Sequence, residues 1–230
     1  MNILAFDTST SEATVSIMKN NELVCEYNVT TNKTHSKMLM PMIDEALKNV
    51  DMNLDEINKI LVCKGPGSFT GLRIGITTAN MFAKTLNKDV YGISSIDSLA
   101  NNVEYSDCYI CPIIDAKRKE VYTAIYEMKN GKIIKIEEDK LIKVDSLLKS
   151  LKRKRKQIVF VGDAVKIYEK VIKDEIKNSI FLEDRLNKNR ASSLIRQYVN
   201  NEKSYVATDY ISPYYIRKSQ AEEQLDAKKS

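Results

Sequence analysis

Apolar and polar positions along this chain fall into two matching blocks. Residues 3–17, "ILAFDTSTSEATVSI", run from an apolar segment through Asp7 and a polar turn to Glu12 and an alternating segment. Residues 112–125, "PIIDAKRKEVYTAI", do the same, with Asp115, Glu120 and Ile125 standing 108 positions after Asp7, Glu12 and Ile17. An apolar run, a tight polar turn and a period-2 segment predict a β-hairpin in each block. Each hairpin leads to a third strand, "ELVCEYNVT" or "KIIKIEEDKLI", and then to a helix, over 36–50 or over "VDSLLKSL". Each block closes with a strand and a helix: "INKILVCKG" into "GLRIGITTANMFAK", and "QIVFVGDA" into "VKIYEKVIKD".

Written twice, that order predicts an α/β protein of two domains with mixed sheets and a cleft between them. Strands that read apolar throughout imply sheets covered by helices on both faces. The expected boundaries are 1–106 for the first domain, 107–205 for the second, and 206–230 for a tail that packs back on the first.

Composition narrows the class without changing the plan. Of the 230 residues, 43% are hydrophobic and 29% charged, as in ordinary globular chains. No apolar run approaches the ~18 residues of a membrane span. The start "MNILAFDTST" has no basic leader, and four cysteines, at 25, 63, 108 and 111, suggest a reducing compartment. A cytoplasmic protein is expected. The net charge of +5 includes a basic run at 152–156, which reads as a solvated loop edge before the apolar "IVFVG".

Candidate chemistry centres on "LVCKGPGSFTGLRIG" (61–75), which opens like a nucleotide site, because glycine-rich strand-to-helix turns present N–H groups to phosphates. The two hairpin turns do not complete it. Asp7 is followed by Thr8, Ser9 and Thr10, and Asp115 by Ala116, Lys117, Arg118 and Lys119, with no glycine in either. The candidates for a residual nucleotide or anion contact are therefore Asp7, Thr8, Ser9, Lys117 and Arg118. No metal site is expected, since His35 is the only histidine and Cys108 and Cys111 would point to opposite faces of a strand. No catalytic residue is expected either. Cys63 reads as core, Ser68 does not meet the G-x-S-x-G spacing, and Ser68 or Thr70 reads as the cap of a helix starting near Gly71. Asp97 reads as the acid of a helix start.

"DTST", "GPGSFTGLRIG", "IIDAKRKEVY" and "PYYIR" together resemble the TsaB (YeaZ) family, within the actin, hexokinase and sugar-kinase (ASKHA) superfamily. The resemblance implies a duplicated actin-like fold and a non-catalytic partner of the transferase TsaD. Together they would place threonylcarbamoyl on the adenosine beside the anticodon of tRNAs reading codons that begin with A. It also implies a TsaE-like ATPase as third component, a homodimer when TsaD is absent, indirect or weak contact with tRNA, and no membrane. No cofactor of its own is implied; ATP or ADP would enter at the level of the complex. The His-x-x-x-His metal pair of TsaD-like relatives falls here on Ser95 and Leu99, which are not ligands.

The helix over 36–50 carries apolar side chains across an arc of about 200°, where a helix serving one core needs about 100°. Three of them, Met38, Met40 and Met42, suit an adaptable contact surface. In the glycine-rich helix, Ile74 and Met81 stand among Arg73, Thr77, Thr78 and Lys84. The resemblance assigns both helices to partner binding, with His35, Met38, Leu39, Met42, Ile43, Arg73, Ile74, Thr77 and Met81 as interface residues. Three other readings stay open: an autonomous ASKHA-type ATPase or small-molecule kinase using Asp7 and Asp115 on Mg²⁺, a peptidase using Ser68, and a tRNA binder using Lys117, Arg118, Lys119 and the 152–156 run.

Overall fold

The two blocks fold into two five-stranded sheets with the same internal order. The computed structural model describes residues 1–30, 34–104 and 107–217. The first sheet comprises β1 (Ile3–Asp7), β2 (Glu12–Lys19), β3 (Glu22–Thr30), β4 (Lys59–Gly65) and β5 (Asp89–Ser94), in the order β3-β2-β1-β4-β5. The second comprises β6 (Tyr109–Asp115), β7 (Glu120–Lys129), β8 (Lys132–Lys143), β9 (Ile158–Val161) and β10 (Ser179–Phe181), in the order β8-β7-β6-β9-β10. In each, the hairpin strands pair antiparallel and the last two strands join parallel. This is the duplicated actin-like α/β plan, with α1 (His35–Asn49), α2 (Phe69–Leu86) and α3 (Ser95–Ala100) in the first half, and α4 (Val144–Leu151), α5 (Val165–Glu175) and α6 (Ala191–Asn200) in the second.

Every residue of β1 is buried, as its unbroken apolar run requires. In β6 the side chains alternate between two cores. Cys111 and Ile113 join α4 and α5, whereas Ile110 and Ile114 join Ile96 and Leu99 of α3. The same alternation sends Cys108 and Cys111 to opposite sides, as their spacing requires, and none of the four cysteines is in a disulfide.

The cores do not respect a cut at 106/107. Helix α3 ends the first half of the chain but packs on the second sheet, and α6 in the second half packs on the first sheet through Ala191, Leu194, Ile195 and Tyr198. The two halves thus exchange their last helices. Each sheet has one face that its own half leaves uncovered, and the return helix of the other half buries it. A period reading assigns a helix its apolar stripe but not the sheet that covers it.

The segment from 205 to 217 crosses both domains. Thr208 pairs with Val90 at the free edge of β5, through backbone bonds of 3.0 and 3.3 Å. Ile211 is buried in the first core, and its N–H and carbonyl bond the Asn80 side chain. Tyr214 N–H donates to the Lys64 carbonyl at 2.7 Å. Arg217 then reaches the second domain, donating to the Ala116 carbonyl at 2.6 Å and to Glu120. Residues 218–230 of the expected tail lie outside the described residues.

Candidate functional site: a self-filled phosphate turn and two surface hollows

The β1–β2 turn is packed from below by the glycine-rich segment. Asp7, Thr8 and Ser9 are each at most 2% exposed. Asp7 accepts the Ser9 N–H at 2.6 Å and Asn189 Nδ2 at 2.9 Å, so both its oxygens are engaged. Thr8 Oγ1 donates to the Gly71 carbonyl, and the Ser9 carbonyl accepts Ser68 N–H at 2.7 Å. A β-carbon at Gly67 would come within 2.5 Å of the Ser9 carbonyl oxygen, and one at Gly71 would overlap that of Thr8. The glycines of "GPGSFTGLRIG" therefore let loop and helix seat on the turn. In a nucleotide site, glycines leave that space for phosphate.

This corrects the expectation that Asp7 and Thr8 meet an anion. Their polar atoms are spent on Ser9, Gly71 and Asn189, and only Ser9 of the three reaches the cleft wall. Ser68 is the N-cap of α2, its hydroxyl accepting Gly71 N–H at 3.2 Å, while Thr70 lies inside the helix. Asp97 stands in the first turn of α3 as expected and also holds the Lys135 ammonium at 2.7 Å and the Tyr126 hydroxyl at 2.5 Å. Cys63 is buried beside the turn, and burial pushes its thiol well above the ordinary range. Burial likewise pushes Cys111 up to about 12. Neither forms a thiolate near neutral pH.

The β6–β7 turn is open. Lys117 Nζ lies 2.6 Å from Asp115 Oδ2, and this hydrogen bond raises the lysine above its ordinary value. Asp163 at the start of α5 accepts the Asp115 N–H at 2.9 Å. Between the domains lies a cleft of 1020 Å³, lined by Ser9, Ser68, Asp115 and Lys117 and closed at one side by the 214–217 segment. Among the described residues, no group of three or more His, Cys, Asp or Glu side chains is placed to hold a metal ion. The 152–156 run is tied into local ion pairs, Lys152 with Glu175 and Lys156 with Asp107 and Glu127. No helix among the described residues is long and apolar enough to cross a membrane.

A second hollow, of 530 Å³, opens between α1 and α2, lined by Met40, Phe69, Arg73, Ile74 and Thr77 among others. Phe69 stacks on Tyr215 at 4.9 Å, the Arg73 guanidinium lies 4.0 Å from the centroid of the Phe69 ring, and Arg73 Nε donates to the Tyr215 hydroxyl at 3.3 Å. This stack is the ridge dividing the groove from the cleft.

A family profile described as TsaD: tRNA N6-adenosine threonylcarbamoyltransferase matches residues 29–225. The tRNA threonylcarbamoyladenosine biosynthesis protein TsaB of Bacillus subtilis is 32% identical over 222 residues, covering 96% of each chain. The protein of the same name from Escherichia coli is 30% identical over 129 residues, 55% of each chain. The chain belongs to the TsaB family. In fold it is similar to YeaZ from Pseudomonas aeruginosa, with a TM-score of 0.76, 21% identity, and coverage of 93% of this chain and 99% of that one. It is similar to a lesser degree to the activator of 2-hydroxyisocaproyl-CoA dehydratase from Clostridium difficile, solved with bound ADPNP, at a TM-score of 0.51 and 11% identity over 88% of this chain and 98% of that one.

Within this TsaB-family chain, the residues expected at a partner surface divide in two. Leu39, Met42 and Ile43 are 1%, 5% and 1% exposed and belong to the first core. They are corrected from interface to core, because α2 and the β2–β3 hairpin together cover more of α1 than a single sheet would. Met38 and Ile74 are half-buried, and Arg73, Thr77 and Met81 are exposed. His35 is half-buried and its Nε2 donates to the Thr10 carbonyl at 2.8 Å, which pins the start of α1 to the β1–β2 turn. Met40, one of the three methionines read as suiting a contact surface, is 41% exposed, and Phe69, which the sequence reading did not single out, is 38% exposed. Asn189 and Arg217 carried no signal of their own, since their partners are 182 and 101 residues away.

Proposed function

We propose that this chain is a non-catalytic partner subunit that docks a TsaD-like transferase on the surface formed by α1 and α2. The observation that carries the reading is the filled β1–β2 turn, where Thr8 and Ser9 meet the glycine-rich segment in the space a phosphate would need. A nucleotide fold that closes its own phosphate turn and leaves Met40, Phe69 and Met81 exposed on two adjoining helices is suited to binding rather than turnover. Membership of the TsaB family supports threonylcarbamoyladenosine formation in tRNA as the process served. The transferase supplies the chemistry, a TsaE-like ATPase completes the set, and ATP or ADP enters at the level of the complex. Alone, the same helices pair two copies, and tRNA meets this subunit weakly. The contact orders the partner, so its measure is a coupling free energy.

The test is light scattering of the chain mixed with its organism's TsaD-like protein, with Met81→Asp and Ile74→Asp as variants. A 1:1 complex that the variants lose is expected. An intact complex in both would sink the docking surface, and ATP hydrolysis by the chain alone would favour the autonomous ATPase.

A further inference from the structure

Nine described residues other than glycine adopt a positive φ, and six are Asn or Asp, the types that tolerate the left-handed region. The other three are consecutive: Lys117, Arg118 and Lys119, at φ of 61°, 54° and 59°. Each carries a steric cost there that glycine would avoid. A run of three such residues, all cationic, at the tip of one hairpin holds long charged side chains where turn geometry favours small ones.

The surroundings add to this charge. Val144 N–H at the start of α4 donates to the Lys119 carbonyl at 3.1 Å, and Lys143 is the N-cap of that helix. The start of α5 lies at the base of the same turn, where Asp163 accepts the Asp115 N–H, and Lys166 follows in its first turn. Cations at helix N-termini oppose the macrodipole, so Lys143 and Lys166 add to a field that is already positive. The carboxylates at the turn are Asp115, which holds Lys117, Glu120, which holds Arg217, and Asp163, while Asp145 lies in the first turn of α4. Lys117, Arg118, Lys119, Lys143 and Lys166 are all exposed.

We infer that this ridge contacts the phosphate backbone of RNA. The inference deepens the weak tRNA contact of the proposed function and rests on that part of it, but its test is separate from that of docking, because the turn joins β6 and β7 of the second sheet and carries none of the α1 and α2 residues varied there. Exposed, lysine-rich surfaces fit a phosphate backbone, whereas protein interface centres are depleted in lysine and built on aromatic anchors. The contact would be independent of sequence and would orient RNA rather than select it.

The test is fluorescence anisotropy of an unmodified transcript of a tRNA reading codons that begin with A, titrated with the full chain from 50 to 200 mM salt. Arg118→Gln with Lys119→Gln is expected to weaken binding about tenfold at 50 mM and to flatten the log–log salt slope by about 1.5. The control is Lys129→Gln with Lys132→Gln, which removes the same charge at the far end of the β7–β8 hairpin and is expected to leave affinity and slope unchanged. Lys119→Gly separates the ridge from a structural role: it should raise the melting temperature by about 2–4 °C through relief of the backbone while lowering RNA affinity. No binding at 50 mM, or equal losses in the ridge and control variants, would overturn the inference. Loss of TsaD association without any RNA binding would instead assign the ridge to an acidic protein.

Discussion

The Thr8 hydroxyl donates to the Gly71 carbonyl at 2.7 Å, and the α-carbon of Gly71 has no room for a β-carbon against the Thr8 backbone. Sixty-three residues apart in sequence, these two turn a glycine-rich signature into a packing contact. Gly71→Ala should therefore act as overpacking against backbone, which cannot rotate away. The expected cost is about 3 kcal/mol, at the upper end for inserted methyl groups, read from the denaturant midpoint.

Burial separates residues that the helical pattern joins. Met42→Asp places an unpaired charge in the first core and should cost on the order of 3 kcal/mol or more. Met81→Asp alters a side chain that is 45% exposed and should stay within about 0.5 kcal/mol of the parent. Thermal melts of the two variants, run beside the light-scattering assay, check both values. Only the second is a clean probe of docking.

Lys135 bridges Asp97 of α3, at 2.7 Å, and Asp139 of β8, at 2.8 Å. Burial alone would lower this lysine, but the two carboxylates, Asp97 foremost, outweigh it and raise it above its ordinary value of 10.5. A raised cation stabilises the fold fully below the unfolded value, and that contribution fades as pH climbs through the folded value. Lys135→Met should cost about 2 kcal/mol between pH 6 and 9, less than the ~3–5 of a fully buried pair, because part of the bridge meets solvent. The gap from the parent should shrink above pH 10.5, the lysine reference value. Urea midpoints across that range would show it, and a gap that widens with pH would refute the assignment.

Arg217 is the far anchor of the segment that crosses from the first domain to the second. Arg217→Ala removes a charge-assisted contact and a carbonyl bond, with an expected loss of about 1–2 kcal/mol. Hydrogen exchange should speed at the Tyr214 amide, which donates to Lys64, while the Thr208 amide, which donates to Val90 of β5, keeps its protection. Equal exchange at both sites in the variant and the parent would mean that the segment does not rely on this anchor.

Much of the architecture was legible because it is local. The third strand was expected over "ELVCEYNVT" and runs Glu22–Thr30, and the helix over "VDSLLKSL" runs Val144–Leu151. A strand's alternation and a helix's stripe are periodic in sequence, so the repeat at an offset of 108 residues predicts two sheets. A cap of α2 at Ser68 or Thr70 was legible for the same reason, since a cap lies three residues from the N–H that it accepts, and the structure selects Ser68.

Along the chain itself, the residues determined the two-sheet plan, the missing turn glycines, the cationic turn at 117–119 and the family to which the chain belongs. Tertiary structure decided the rest. It determined that α3 and α6 trade sheets, that Leu39, Met42 and Ile43 face a core instead of a partner, and that Asn189 closes over Asp7 from 182 residues away. Periodicity says that a face is apolar, because burial needs only an apolar surface. It does not say what covers that face, because the cover is supplied by whatever part of the chain the fold brings back across it.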